Sequence, residues 1–183
     1  FYLRESIATG AINRDGVPDI IAGAYWYEGP TFTKAHEIYL ETPLSLQDVS
    51  ASYSTYVYDF DGDGWADILF ASSPRPAQLY FNPGAARRRW DKAEVLPRSE
   101  TEATAFGDVD GDGRPELVSS FSGKLSYARF DPAAPRQKWS IHPISDGTDA
   151  NRGDAHAIGG VADLDGDGRA DILARTGWWS RNI

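Results

Sequence analysis

The chain of 183 residues has no cysteine, so disulfides, thiolate metal sites and thiol nucleophiles are excluded. It has only three histidines, His36, His142 and His156, and none falls inside the acidic motifs described below. That separation speaks against zinc, which takes His and Cys ligands. No apolar run approaches the length that spans a bilayer. A sustained apolar period of 3.6 residues is also missing, which argues against helical repeats. No Ser-His-Asp arrangement can be assigned. What remains is a chain with 41% hydrophobic and 13% aromatic residues. That balance fits a globular all-β domain rather than a disordered segment.

The conspicuous presence is acidic. Asp-x-Asp-Gly-Asp-Gly occurs three times, each followed by two residues and a carboxylate. The copies run 59–67, 108–116 and 163–171. Four carboxylates in nine residues repel one another unless a cation joins them. A backbone curled around an ion turns positions 1, 3 and 5 inward, adds the carbonyl at position 7, and closes with the carboxylate at position 9. The expected ligands are Asp59, Asp61, Asp63, the carbonyl of Trp65 and Asp67 in the first copy. They are Asp108, Asp110, Asp112, the carbonyl of Arg114 and Glu116 in the second, and Asp163, Asp165, Asp167, the carbonyl of Arg169 and Asp171 in the third. Six to eight hard oxygen donors suit Ca²⁺ better than Mg²⁺, which holds strict octahedral geometry and keeps its waters. A damaged fourth copy lies upstream, at 11–19. Ala11 replaces its first carboxylate, and Asn13, Asp15, the carbonyl of Val17 and Asp19 offer a weak site. Short strand-like runs follow the loops, as in Ile68-Leu69-Phe70 and Ile172-Leu173.

The formal net charge of −9 is local to these loops. Twelve of the 27 acidic residues lie in the three intact copies, leaving fifteen against 18 Lys and Arg. Three bound divalent cations would bring the chain to −3. The acidic balance also argues against nucleic acid as a partner. Arg87-Arg88-Arg89 accordingly reads as a solvated loop, and Arg152-Gly153-Asp154 as a chance tripeptide.

Position 1 of the motif falls at 11, 59, 108 and 163, giving spacings of 48, 49 and 55 residues. Each period holds about four short strands separated by Gly, Pro, Ser and Asp. In the third unit these are Ala103–Gly107, Glu116–Ser120, Lys124–Phe130 and Trp139–Pro143. In the second they are Thr55–Tyr58, Ala66–Ala71, Gln78–Phe81 and Glu94–Leu96. Four strands per repeat of this length mark the blades of a β-propeller. The expectation is one all-β domain over 1–183, with repeats near 1–50, 51–100, 101–150 and 151–183. Four units could close a small propeller, with Phe1–Arg4 supplying an outer strand. The favoured expectation is a portion of a larger propeller, of seven blades for example. An open arc would leave two blade faces exposed.

These residues resemble the FG-GAP/VCBS repeats of calcium-binding β-propellers. The likeness rests on the acidic loop, on Phe106-Gly107-Asp108, and on Gly159-Gly160-Val161-Ala162-Asp163. It implies calcium in the loop between the first two strands of each blade. It also implies a setting outside the cytoplasm, as in integrin α subunits and secreted or periplasmic bacterial proteins.

Aromatic runs stand in the third strand of each of three units: Tyr25-Trp26-Tyr27, Leu79-Tyr80-Phe81 and Trp178-Trp179. They are expected to pack between blades. Strand alternation places at most one of Trp178 and Trp179 in the core, leaving the other for a ligand such as a sugar ring. Trp26, Trp178, Trp179 and His156 are the candidate ligand-binding residues. The functional expectation is a calcium-stabilised binding or scaffold module for a glycan or protein partner, without a catalytic centre. Two alternatives are a portion of a propeller enzyme of the polysaccharide lyase or sugar dehydratase type, and an accessory subunit of a large extracytoplasmic assembly. His142, His156 and tyrosines would be the candidates in the enzyme.

Overall fold

A computed structural model describes residues 6–40, 53–71, 75–86, 88–145, 158–175 and 177–180. All regular elements among them are strands, and they build four antiparallel blades of a β-propeller. Blade 1 is β1 (Ile7–Gly10), β2 (Asp19–Ala22), β3 (Tyr25–Tyr27) and β4 (Ala35–Glu37). Blade 2 is β5 (Ser54–Tyr58), β6 (Asp67–Ala71), β7 (Pro76–Phe81) and β8 (Asp91–Arg98). Blade 3 is β9 (Ala105–Gly107), β10 (Glu116–Phe121), β11 (Lys124–Arg129) and β12 (Ser140–Pro143). Blade 4 shows β13 (Ile158–Ala162), β14 (Asp171–Ala174) and β15 (Gly177–Trp179). Each blade is a simple meander, so each acidic loop joins its first two strands. The suggested role of Phe1–Arg4 falls outside the described residues.

The strands match the sequence expectation closely in blades 2 and 3. The largest difference is β8, which begins at Asp91 rather than near Glu94. Asp91, Lys92 and Ala93 pair with Phe81, Tyr80 and Leu79. An outer strand faces solvent, so its polar start carries little strand signal.

One rule of register organises the core. Residues opposite one another on paired strands share a face, and neighbours along a strand alternate. The residue just after loop position 9 faces the preceding blade, as Ile68, Leu117 and Ile172 do. The residue after that faces the following blade, as Ile21, Leu69 and Val118 do. Their partners on the third strand follow suit: Ile21 is opposite Trp26, Leu69 opposite Leu79, and Val118 opposite Tyr127. Loop position 2 also faces forward, sending Ile12, Phe60 and Val109 into the seams. Three apolar clusters result, one for each seam between consecutive blades. The seam between blades 2 and 3 is the most aromatic, with Phe60, Phe106, Phe130 and Trp139 in edge or tilted contacts.

The innermost strands meet at a second fixed register. The residue before each loop touches the residue two before the next loop. Gly10 faces Val57, Tyr58 contacts Phe106, and Gly107 faces Val161. A Cβ on Gly10 would stand 2.5 Å from Val57 Cγ1. Gly10→Ala should therefore destabilise the chain by about 1–3 kcal/mol through overpacking. A shift of the urea midpoint to lower concentration checks this; an unchanged midpoint would mean that the seam has slack.

Candidate metal centres

The acidic loops are self-supporting ladders of side-chain to backbone hydrogen bonds. The carboxylate at position 3 accepts from the N–H at position 5, and position 5 accepts from the N–H at position 7. The first step is 3.3 Å at Asp61, 3.1 Å at Asp110 and 3.1 Å at Asp165. The second is 2.8 Å at Asp63, 2.9 Å at Asp112 and 2.9 Å at Asp167. Position 1 reaches across the curl to the N–H at position 6, at 2.9 Å for Asp59 and Asp108 and 3.0 Å for Asp163. Such Asx-type contacts are how Asp specifies a turn. Position 4 needs positive φ, with +72° at Gly62, +74° at Gly111 and +80° at Gly166. In the damaged loop Arg14 takes that place at +60°.

Within each intact loop three carboxylates converge. The sets are Asp59, Asp61 and Asp67; Asp108, Asp110 and Glu116; and Asp163, Asp165 and Asp171. Within each set one oxygen per residue lies within 4.8 Å of the others, a spacing that one cation can satisfy. Positions 1, 3 and 9 are thus brought together. Position 5 is not in these sets; Asp63, Asp112 and Asp167 accept from the N–H at position 7. Asp59 Oδ1 is buried without a hydrogen-bond partner. A buried carboxylate oxygen left unpaired is costly, and a cation satisfies it.

The electrostatics agree. Burial raises the Asp67 carboxyl to about 7, with Asp61 and Asp63 pushing in the same direction against the N–H bonds of Asn82 and Phe60. Burial likewise raises Glu116 to about 7, helped by Asp110 and Asp112. Asp61 is raised by burial and by Asp63. In each case burial and the neighbouring carboxylates together disfavour the charged form. The residues therefore fit a bound cation.

Blade 3 departs from this pattern by carrying its own cations. Arg129 Nη1 lies 3.0 Å from Asp110, and its Nη2 bonds Asp112. Arg114 Nη2 lies 2.6 Å from Asp112. Burial pushes Asp112 up, but the Arg114 N–H and the two guanidinium groups outweigh it and leave the carboxyl below its ordinary value.

Sequence reasoning assigned position 9 to the metal alone and missed its second task. Asp67 Oδ2 accepts from the Phe60 N–H at 3.0 Å, and Oδ1 from the Asn82 N–H at 2.8 Å. The side chain clamps the start of the loop to the end of the third strand. Asp19 does the same, accepting from Ile12 at 2.8 Å and Gly29 at 3.0 Å. Glu116 and Asp171 repeat the first half of the clamp with Val109 and Leu164. The signal was available, since the damaged loop discards position 1 yet retains the acid at position 9. In that loop Asn13 accepts from the Asp15 N–H and donates to its carboxylate. The three-carboxylate sets among the described residues do not include it.

Two further residues tie loops together. Asn82 Nδ2 donates to the carbonyls of Ile12 and Ala66, stitching blade 1 to blade 2. Arg14 stacks over the Trp65 ring at 5.1 Å. Trp65 itself lies under Gly84, where a Cβ would come within 2.9 Å of the indole.

Of the proposed ligand-binding residues, Trp26 is buried and stacked on His36 at 4.1 Å. Trp179 packs against the seam of blades 3 and 4. Trp178 is exposed on the opposite face of the same strand. His156 and the Arg-Gly-Asp tripeptide fall outside the described residues. His142 stacks on Tyr127 and bonds the Ser140 hydroxyl at 3.0 Å.

Antiparallel blades whose first hairpin is an acidic nine-residue loop define an acid-loop β-propeller. A model of FG-GAP-like repeats matches the chain at residues 59–119 and again at 108–174. The two stretches cover more than half of the chain, which belongs to this family. No curated protein matches it.

Proposed function

We propose that the chain is a calcium-stabilised binding or scaffold module working outside the cytoplasm. The observation that carries this reading is the threefold convergence of carboxylates at positions 1, 3 and 9, with a buried ninth-position acid in each. Asp59, Asp61 and Asp67, and their counterparts in blades 3 and 4, would hold the ions. A bound Ca²⁺ supplies charge compensation and rigidity, not chemistry. Weak oxygen-rich sites are filled where calcium is plentiful, at dissociation constants of about 10⁻⁴–10⁻³ M in extracellular modules. The loops then form a firm rim that presents a surface to a protein or glycan. Trp178 is the most exposed of the described ligand candidates.

Calorimetric titration should give three ions per chain, with the loop around Asp15 and Asp19 weak or empty. A flat titration at millimolar calcium would sink the proposal. Glycan arrays and partner binding, run in calcium and in EDTA, test the recognition half. Arg129→Ala should tighten one of the three sites, because removing a cation beside Asp110 favours a divalent ion. The gain should be roughly three- to tenfold from Coulomb's law at high dielectric. Equal affinities before and after would show that the guanidinium leaves the site unaffected.

A further inference from the structure

Arg129 ends β11, one step beyond the ladder that pairs Leu117 with Ala128, so it stands opposite Glu116 at loop position 9. The same step gives Glu28 in blade 1, Phe81 in blade 2 and Ser180 in blade 4. Of these four places, blade 3 alone carries a cation. The consequence falls on single oxygens. At loop position 3, Oδ1 accepts from the N–H at position 5 in all three acidic loops. Among the described residues, Oδ2 of Asp61 and of Asp165 takes no hydrogen bond or ion pair. On Asp110 that second oxygen is held by Arg129 Nη1 at 3.0 Å. Position 5 repeats the contrast. Asp112 Oδ2 bonds Arg129 Nη2 and Arg114 Nη2, whereas Asp63 and Asp167 bond through Oδ1 alone. Arg114 does not account for the difference, because Arg169 holds the same loop position in blade 4 and makes no such pair among the described residues. Blade 2 has a more distant cation. Arg136 stacks over Phe81 at 4.0 Å and draws on Asp61 through space, without a bond to it.

We propose that Arg129 is the resident cation of the blade 3 loop, so that this loop holds its shape without calcium and is the last of the three to accept an ion. The inference rests on the metal reading of the loops and adds that the three sites are unequal. Blades 2 and 4 offer open oxygens, and blade 3 exchanges one cation for another. Arg129 competes for Asp110 Oδ2, the oxygen that the other loops leave open, since Oδ1 is taken up by the loop backbone. A divalent ion there repels the guanidinium. The Arg129 side chain is 39% exposed, so on release it reaches water without moving its strand. Filling blade 3 therefore forfeits a charge-assisted contact that blades 2 and 4 never had, which corresponds to the roughly three- to tenfold given above. Rising calcium takes the rim through a middle range, with two loops filled and blade 3 still self-paired, before a free guanidinium is presented.

Hydrogen exchange of the full chain in EDTA, followed peptide by peptide, reads the first half. In Arg129→Gln the amides of 108–116 should exchange about three- to tenfold faster than in the wild type, with 59–67 and 163–171 unchanged. Calcium titration of the same two proteins reads the second half, by calorimetry and by the arginine side-chain N–H resonances. In the wild type the last of the three ions should bind roughly three- to tenfold more weakly than the others, and its step should shift the Arg129 signal. Arg129→Gln should bring that step level with the other two. Arg129→Lys keeps the charge and should leave the step behind. A looser loop with a tighter site is a pair of effects that a merely structural contact would not give. Three equal steps in the wild type, or a weak last step that survives Arg129→Gln, overturn the inference and leave the metal reading standing. Unchanged exchange at 108–116 overturns it as well. A flat titration removes the metal reading, and the exchange of cations falls with it.

Discussion

Millimolar calcium should raise the melting temperature of the metal-free chain, and EDTA should reverse the rise. An ion that binds only the folded state stabilises it by about 2.7 kcal/mol per site at a hundred times its dissociation constant. For a domain of this size each kcal/mol moves the midpoint by roughly 2–4 °C. At a hundred times the dissociation constant each filled site should therefore add on the order of 5–10 °C, and correspondingly less at millimolar calcium. The pH dependence should change with the ion. Asp67 rises from an ordinary 3.8 to about 7, and Glu116 from 4.5 to about 7. A carboxyl raised on folding binds protons more tightly in the native than in the unfolded state. Its contribution is present in full below pH 4 and lost as pH climbs through 7. The metal-free chain should thus weaken from pH 5 to pH 8. With calcium the slope should flatten or reverse, because the ion competes with the proton for the same oxygens. Scanning calorimetry at pH 5 and 8, with and without calcium, reads both effects. A midpoint that ignores calcium at pH 8 would remove the metal assignment.

The loops and the blades were legible in the sequence because both rest on local rules. The period of about 50 residues and the Asp-Gly curl need no knowledge of distant contacts. Strand alternation correctly separated Trp178 from Trp179, with Trp179 inward. The interactions that escaped notice are long-range in the chain. Asn82 bonds the carbonyl of Ile12 across 70 residues. Arg129 reaches Asp112 from the strand beyond the next hairpin. No spacing rule announces either contact, because each depends on how the third strand returns to the loop. The same return explains why position 9 looked like a ligand and proved also to be a clamp.

That double role separates two kinds of acid by a pair of substitutions. Asp19→Ala should destabilise the chain by roughly 2–6 kcal/mol. It strands the buried N–H groups of Ile12 and Gly29, at about 1–3 kcal/mol each. The loss should be the same in calcium and in EDTA, and the number of bound ions should not change. Asp67→Ala strands Phe60 and Asn82 in the same way, so in EDTA its loss should match that of Asp19→Ala. In calcium it should fall further behind the wild type, because an ion goes with the carboxylate. Asp63→Ala removes one exposed bond to the Trp65 N–H and should cost less than about 1 kcal/mol in EDTA. Chemical denaturation of the three variants in both buffers makes the comparison. If Asp19→Ala were silent, the clamp would be an incidental contact and position 9 would serve the metal alone. If Asp67→Ala lost equally in both buffers, the clamp would be its whole function and the ion would sit elsewhere. The expected pattern, equal in EDTA and unequal in calcium, follows only if one carboxylate does both jobs. It would also account for a damaged loop that sheds its first ligand and retains its last acid.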